Sequence, residues 1–329
     1  IPLRERIYEE IRQAQPGTIP SDETILSMDE SKLSGFRATA VKKIIENDVN
    51  TCPITIVSTA AGFWKEGGWI DGLKTNDVKL LSPYIAAVIL DDVARIKTRL
   101  DDPVRHPHWA KKELDYEAIA AWRAKEEENT AKVLEALTEK GKIPLIAYFI
   151  PKDSPPSVLR DLIFEPRKKK AYFSFPITHM KRDDIDQAKR FCQSMRKHYV
   201  IFDPLTIQDH TMMARVFKIY GRTHRQRVIW YRKGPTERIR GMKTRGKKGI
   251  IERIPCLVKH VRSAQRSLDR QVVDRDFHLV AQSDIVIVYY PVKKLAAGVI
   301  CEMMYGKKHV QKEVYAYHPH EYSPFFEAM

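Results

Sequence analysis

Residues 284–302 read Asp284-Ile-Val-Ile-Val-Tyr-Tyr-Pro-Val-Lys-Lys-Leu-Ala-Ala-Gly-Val-Ile-Cys-Glu302. From Ile285 to Tyr290 the run is continuously apolar rather than alternating, the pattern of a strand buried on both faces of a parallel sheet. Pro291 ends it, and a loop from Pro291 to Gly298 leads into a helix expected over Val299 to Tyr305. A strand that passes through a short loop into a helix is the grammar of an α/β fold. In open sheets of this kind ligands collect beyond the carboxyl ends of the strands, which makes Glu302 and the loop before it the first candidate site. Near the start of its helix, the positive end of the dipole and the unpaired backbone amides are expected to keep the Glu302 carboxylate ionised. Taken alone, the same residue reads more readily as a favourable helix N-terminal acid, and its surroundings shift that balance.

Working outward, the second half repeats this grammar. Strands are expected over Ala171 to Phe175, Tyr199 to Phe202 and Glu313 to Tyr317, with helices over Arg182 to Lys197 and Pro255 to Val273. Two further motifs lie at strand ends: Tyr172-Phe-Ser174-Phe-Pro176-Ile177-Thr178, and Asp203-Pro204. In the first half, apolar positions recur at helical spacing over residues 2–14 and 29–47. A β-branched run, Pro53 to Thr59, then leads into a loop carrying Gly62, Gly67, Gly68 and Gly72. A second buried strand is expected over Tyr84 to Leu90 and a third over Pro144 to Ile150, with helices over Asp92 to Leu100 and Asp115 to Lys140. The stretch Pro151 to Lys170, with its prolines and the basic run Arg167 to Lys170, reads as a linker. The expected organisation is therefore a first domain over 1–150, a linker over 151–170 and a second domain over 171–329, both α/β with mainly parallel, doubly wound sheets.

At 329 residues with 43% apolar composition, two cores are the natural expectation. No apolar run approaches the roughly 20 residues a membrane helix needs, so no membrane association is expected. Cys52, Cys192, Cys256 and Cys301 show neither paired spacing nor histidines nearby, which argues against a metal site and for a reducing cytoplasm. The chain opens on Ile-Pro-Leu-Arg without Met, so a longer natural chain is expected. Of the formal +15, most sits in one place: residues 221–275 hold 17 Lys or Arg against Glu237, Glu252, Asp269 and Asp274. A basic segment inserted at 211–275 points to a polyanion, nucleic acid among them, or a phosphorylated ligand; a solvated face or an oligomer interface is the plain alternative.

The Tyr172–Thr178 motif, the stretch Asp276-Phe-His-Leu-Val-Ala-Gln-Ser-Asp284-Ile-Val-Ile-Val and Gly298-Val-Ile-Cys-Glu302 together resemble the nucleoside 2-deoxyribosyltransferase superfamily, with its deoxynucleoside monophosphate N-hydrolase branch. The resemblance spans about 160 residues with one large insertion. It implies a Rossmann- or flavodoxin-like domain in which Glu302 is the nucleophile on the anomeric carbon, held and polarised by Tyr172, while Asp276 binds sugar or base. Ser174 and Gly298 would line the sugar or phosphate pocket, with Pro176, Ile177 and Asp203 beside it; Asp284 is left a structural role. Two departures stand out. Transferases of the family usually carry Asp where this chain has Ala296, and the hydrolases tend to place Ser where Ala296 and Ala297 stand. Lys293 and Lys294 are then candidates for holding a phosphate. Base, sugar and phosphate state stay open, as does hydrolysis against transfer, and a homo-oligomer is implied.

The first half is similar to the archaeal-type adenylate kinase group of P-loop kinases. The residues that carry this are Ile54-Thr-Ile-Val-Ser-Thr59, Gly68-Trp-Ile-Asp-Gly72, the arginines Arg95, Arg99 and Arg105, and Glu128-Asn129. Chain order implies that a Gly-x-x-x-x-Gly-Lys-Ser/Thr loop would precede Ile1, so phosphoryl transfer with Mg-ATP is expected only from a longer chain. Arg37 would bind a nucleoside monophosphate, Thr59 would stand at the strand end, and Arg99 and Arg105 would lie over phosphates. No other cofactor and no metal is expected. The leading expectation is an enzyme that cleaves or transfers an N-glycosidic bond of a small nucleoside or nucleotide in nucleotide metabolism. A nucleic-acid-binding or nucleotide-sensing protein using residues 221–275, with Trp230 and Tyr231 stacking on bases, is one alternative, and an NAD-cleaving glycohydrolase another.

Overall fold

The computed structural model describes residues 1–65, 68–112, 114–138, 146–207, 209, 228–233 and 252–321. The chain forms mixed helix and strand with a parallel sheet and divides into two compact units, Ile1–Val88 with Lys97–Ala147, and Ile89–Ile96 with Tyr148–Met329.

The first unit opens with α1 (Leu3–Ala14), α2 (Asp22–Ser27) and α3 (Glu30–Ile44), the last running on into a π turn, Ile45–Val49. On α1, Leu3, Ile7 and Ile11 recur every four residues and are buried against Leu33, Ala40, Val41 and Ile44 of α3. Ser21 and Thr24 form a reciprocal cap on α2, and Asp29 accepts the Ser31 and Lys32 amides at the start of α3.

The run Pro53 to Thr59 does not form the expected strand. Among the described residues it makes a single parallel bridge, Pro2 to Ser58, with hydrogen bonds from Leu3 to Ser58 and from Ser58 to Ile1. The glycine-rich stretch after it is a hairpin and not a loop: β1 (Gly62–Lys65) pairs antiparallel with β2 (Gly68–Asp71). Gly62 is required there, since a Cβ would lie 1.9 Å from the Trp69 ring.

Next come α4 (Thr75–Leu81), β3 (Ile85–Leu90), α5 (Val93–Leu100), α6 (Pro107–Ala110), α7 (Tyr116–Thr138) and β4 (Ile146–Pro151). Strands β3 and β4 pair, and hydrogen bonds from Ile146 to Tyr84 and from Lys152 to Leu90 keep the constant offset of a parallel ladder. Strand β3 is only half-buried, with Ile89 53% exposed, so the expectation of a fully covered strand fails in a sheet that has two strands among the described residues. Val78 of α4 packs on Val133, Leu134 and Leu137 of α7.

Residues 151–170, expected as a linker, contain a helix, α8 (Pro156–Phe164). Pro156 is suited to its first position, Val158 and Leu162 bury at i,i+4 spacing, and the buried Asp161 is held by Arg160 and Lys168. The central sheet follows, built from β5 (Lys170–Ser174), β6 (Val200–Phe202), β9 (Ile285–Tyr289) and β10 (Glu313–Tyr317) in the order β10-β9-β5-β6, every pair parallel. Between β5 and β6 lies α9 (Arg182–Met195), whose Ala188 and Cys192 cover the face formed by Ala171, Phe173, Ile285 and Ile287.

Between β6 and β9 the described part of the basic segment is an antiparallel ribbon, β7 (Val228–Lys233) with β8 (Glu252–Leu257); residues 210–227 and 234–251 lie outside the described residues. The ribbon leads into α10 (Val258–Ala281). A helix was expected from Pro255, but that residue sits in β8 opposite Trp230, and the helix runs on eight residues past Val273, taking in Asp276. After β9 comes α11 (Ala297–Met304), with a π turn at Tyr305–His309. There Gly306 fits the second face of the sheet, where a Cβ would press Val286 at 2.9 Å. Helices therefore cover both faces. Among the described residues no helix is long and apolar enough to cross a membrane.

Candidate active site

The alternation of β5 sends Phe173 toward α9 and places Tyr172 and Ser174 on the opposite side, both fully buried. There they meet Glu302, the sixth residue of α11, and Asp276 of α10. The Ser174 hydroxyl donates to Glu302 Oε2 in a short hydrogen bond. Tyr172 lies beside Glu302 and Asp276, yet its enclosed hydroxyl makes no well-formed hydrogen bond, so its capacity to donate is unspent. Burial and the two carboxylates push that phenol well above its ordinary value, so it stays protonated.

Glu302 behaves differently from the expectation of an ionised helix-start acid. The dipole acts within the first turn, and the sixth position lies beyond it. Burial, then the charge of Asp276, push the Glu302 carboxyl up to about 8, and the Ser174 hydrogen bond, the Tyr172 hydroxyl close by and the charge of Arg275 offset only part of this. Glu302 therefore carries a proton at neutral pH.

Arg275, undistinguished in the sequence among its basic neighbours, joins this group. It is 7% exposed and donates through Nε (3.0 Å) and Nη2 (2.8 Å) to Asp276 Oδ1. Burial works to lower its value, but the carboxylates of Asp276 and Asp209 outweigh that and hold it raised. Asp209, 1% exposed, accepts the Val93 amide at 3.0 Å, which ties the site to the start of α5. Neither residue belongs to a motif, and only the switch from an exposed stripe to an inward-facing arginine on α10 marked the position.

Tyr290 was also missed. Its hydroxyl donates to Lys294 O (2.9 Å) and accepts the Ala296 amide (2.7 Å), pinning the loop ahead of α11. His318 Nδ1 lies 2.8 Å from Tyr290 O and His320 Nε2 3.0 Å from Pro291 O, so the segment after β10 braces the same loop.

The other expected residues divide. Pro176 is buried and precedes a 3-10 turn beginning at Ile177, which is 37% exposed. Lys293 and Lys294 are exposed, and Gly298 has open space where a Cβ would stand. Asp203 is buried at the end of β6 and pairs with Arg196 at 3.7 Å. Asp284 accepts the Lys170 amide and holds β5 in place, as its structural role required.

In the first unit, Arg37 is fully buried and engaged. It donates to Asp71 O (2.8 Å) and pairs with Asp77 (2.8 Å) and Glu30 (3.7 Å), so its charge is already matched within the fold. With Thr59, Ser58 and Phe63 it lines a cavity of about 260 Å³. Arg105 is exposed in a loose pair with Asp102, and Arg99 is half-buried in the last turn of α5. Among the described residues no three His, Cys, Asp or Glu side chains are grouped to hold a metal ion. Compared with known protein families and with curated proteins, the chain matches none.

Proposed function

We propose that the second unit cleaves or transfers the N-glycosidic bond of a nucleoside or nucleotide at Glu302, on a deoxyribosyltransferase-like, doubly wound fold. The observation that carries this reading is the enclosed group of Tyr172, Ser174, Asp276 and Glu302, with one acid held protonated beside another whose charge Arg275 matches. Two carboxyls whose environments differ are the equipment of glycosidic chemistry.

The proton balance fits. As the bond from the anomeric carbon to the base breaks, a Glu302 oxygen bonds that carbon, and the electron pair leaves with the base nitrogen. The proton that burial keeps on Glu302 passes to that nitrogen, supplying what the Asp missing at position 296 would otherwise give. Water or a second base then attacks the anomeric carbon, Glu302 leaves as the carboxylate, and Asp276 takes the proton of the attacking group and passes it to Glu302, which restores the resting state.

In the adenylate-kinase-like first unit Arg37 would, on this reading, stay with Asp77 and not hold a phosphate, and phosphoryl transfer would need the Gly-x-x-x-x-Gly-Lys-Ser/Thr loop of a longer chain. Resemblance adds a homo-oligomer as the working form, and the unpaired cysteine spacing a reducing cytoplasm. Incubation with nucleosides, deoxynucleotides and NAD, with released base followed by chromatography, tests the reading. Base release should fall as pH rises through about 8, where Glu302 loses its proton. Turnover retained by Glu302→Gln, or unchanged to pH 10, would sink it.

A further inference from the structure

Parallel strands all begin at the same end. The starts of β10, β9, β5 and β6 therefore make one edge of the central sheet, and the loop leading to Glu302 follows the opposite end of β9. The register sets Lys312, Asp284, Lys170 and Val200 side by side along that edge. At about 4.8 Å from strand to strand the row is about 14 Å long. Neighbouring turns add to it. The π turn brings Lys307 and Lys308, tied to the row by the Lys312 amide, which donates to Gly306 O at 2.8 Å. The approach to β5 brings Arg167 and Lys169. The turn after α9 brings Lys197, tied in by the Val200 amide, which donates to Lys169 O at 2.9 Å.

Arg167, Lys169, Lys197, Lys307 and Lys308 are exposed and Lys312 is half-buried. Among the described residues, no side-chain hydrogen bond or ion pair holds any of these six. The acids along the edge are already engaged. Asp284 accepts the Lys170 amide at 2.8 Å, Glu165 faces Arg160 at 4.0 Å, and Glu313 accepts from the Tyr315 hydroxyl at 3.1 Å. A line of positive charge is left over the edge. At its β5 side stands the Phe164 ring, 60% exposed at the end of α8, three residues before Arg167.

We infer that this edge of the sheet binds a nucleic acid strand, with the row of cations on its phosphates and the Phe164 ring against a base. A phosphodiester chain is itself a line of charges, and 14 Å is the axial length of about four nucleotides of one strand. An anionic membrane is a plane and would be matched by cations spread over a face, not by a row along one edge. The single exposed ring suits stacking on a base. Five of the six cations are lysines, point charges that hold phosphate without reading base edges, so the binding is independent of sequence. It does not depend on the chemistry at Glu302.

The test is fluorescence anisotropy of the full chain with labelled single-stranded RNA, single-stranded DNA and duplex DNA, at salt from about 50 to about 200 mM. Binding to a single strand is expected, weakening steeply with salt. Lys307→Glu with Lys308→Glu at one end, and Lys169→Glu with Lys197→Glu at the other, should each weaken it about tenfold or more and flatten the logarithmic salt slope by about two, at an unchanged melting temperature. Phe164→Ala should weaken single-strand binding about fivefold without changing the slope. The same reversals on the first unit, Lys32→Glu with Lys42→Glu, should change affinity by less than about twofold, since charges far from the strand are screened. Glu302→Gln should bind as the unaltered chain does, which separates a failure here from a failure of the glycosidic reading. Absence of single-strand binding at the lowest salt would overturn the proposal. So would affinity that ignores both pairs of edge reversals, affinity that falls equally with the first-unit pair, or edge reversals that abolish binding to phosphatidylserine vesicles while leaving the oligonucleotides bound.

Discussion

Glu302 pays a measurable cost for its position. A carboxyl raised in the folded state costs nothing while it is protonated in both states; the penalty begins above the ordinary carboxylate range and is complete above about 8. Stability should therefore fall between pH 5 and pH 9, and Glu302→Gln should remove much of that fall. Melting curves at pH 6 and pH 9 check it: the variant should gain at pH 9, at about 2 to 4 °C for each kcal/mol relieved, and little at pH 6. Arg275 gives a complementary prediction. Arg275→Met removes the guanidinium that donates to the half-buried Asp276 and lies beside the buried Asp209, a loss of about 3 kcal/mol. Because Arg275 draws the Glu302 value down, its removal should move the high-pH fall in base release to higher pH, and Arg275→Lys should restore part of the shift. A melting temperature and pH profile both unchanged in Arg275→Met would show that the arginine has no such role.

Among the elements, the sequence was most legible where apolar residues ran together or recurred at helical spacing. Strands β5, β9 and β10 and helices α1, α3 and α9 lie within a few residues of expectation. It was least legible where pairing partners decide the outcome. Pro53 to Thr59 has strand composition but, among the described residues, pairs only through the Pro2–Ser58 bridge, whereas Gly62 to Asp71 looks like a loop and forms a hairpin. Prolines hid α8 because their value as first helical residues was read as interruption. For the site, Glu302, Tyr172, Ser174 and Asp276 are brought together, while Arg275, Asp209 and Tyr290 needed the three-dimensional arrangement. The hairpin yields its own prediction. Gly62→Ala drives a methyl into Trp69 and should destabilise the first unit by about 1 to 3 kcal/mol, read from its denaturant midpoint, while the base-release activity of the second unit stays unchanged. An unaltered midpoint would mean that the Trp69 ring yields without cost.

On the scale of the whole molecule, the path of the chain matters more than the count of units. It leaves the first unit after Val88, contributes Ile89–Ile96 to the second, returns at Lys97 and leaves again after Ala147. The borrowed segment brings Asp91, paired with Lys152 at 3.0 Å, and the Val93 amide that Asp209 accepts. A fragment starting at Tyr148 would lose both of these contacts, so it should melt lower than the same unit in the full chain, or precipitate; equal melting temperatures would contradict this. The interleaving has a further consequence for a protease. A single nick in the exposed stretch near Val104 would cut the chain without freeing either half, because each piece keeps one part of the second unit. Such a nicked protein should run as two bands in denaturing gels and as one species in solution, held together by the segment that crosses over.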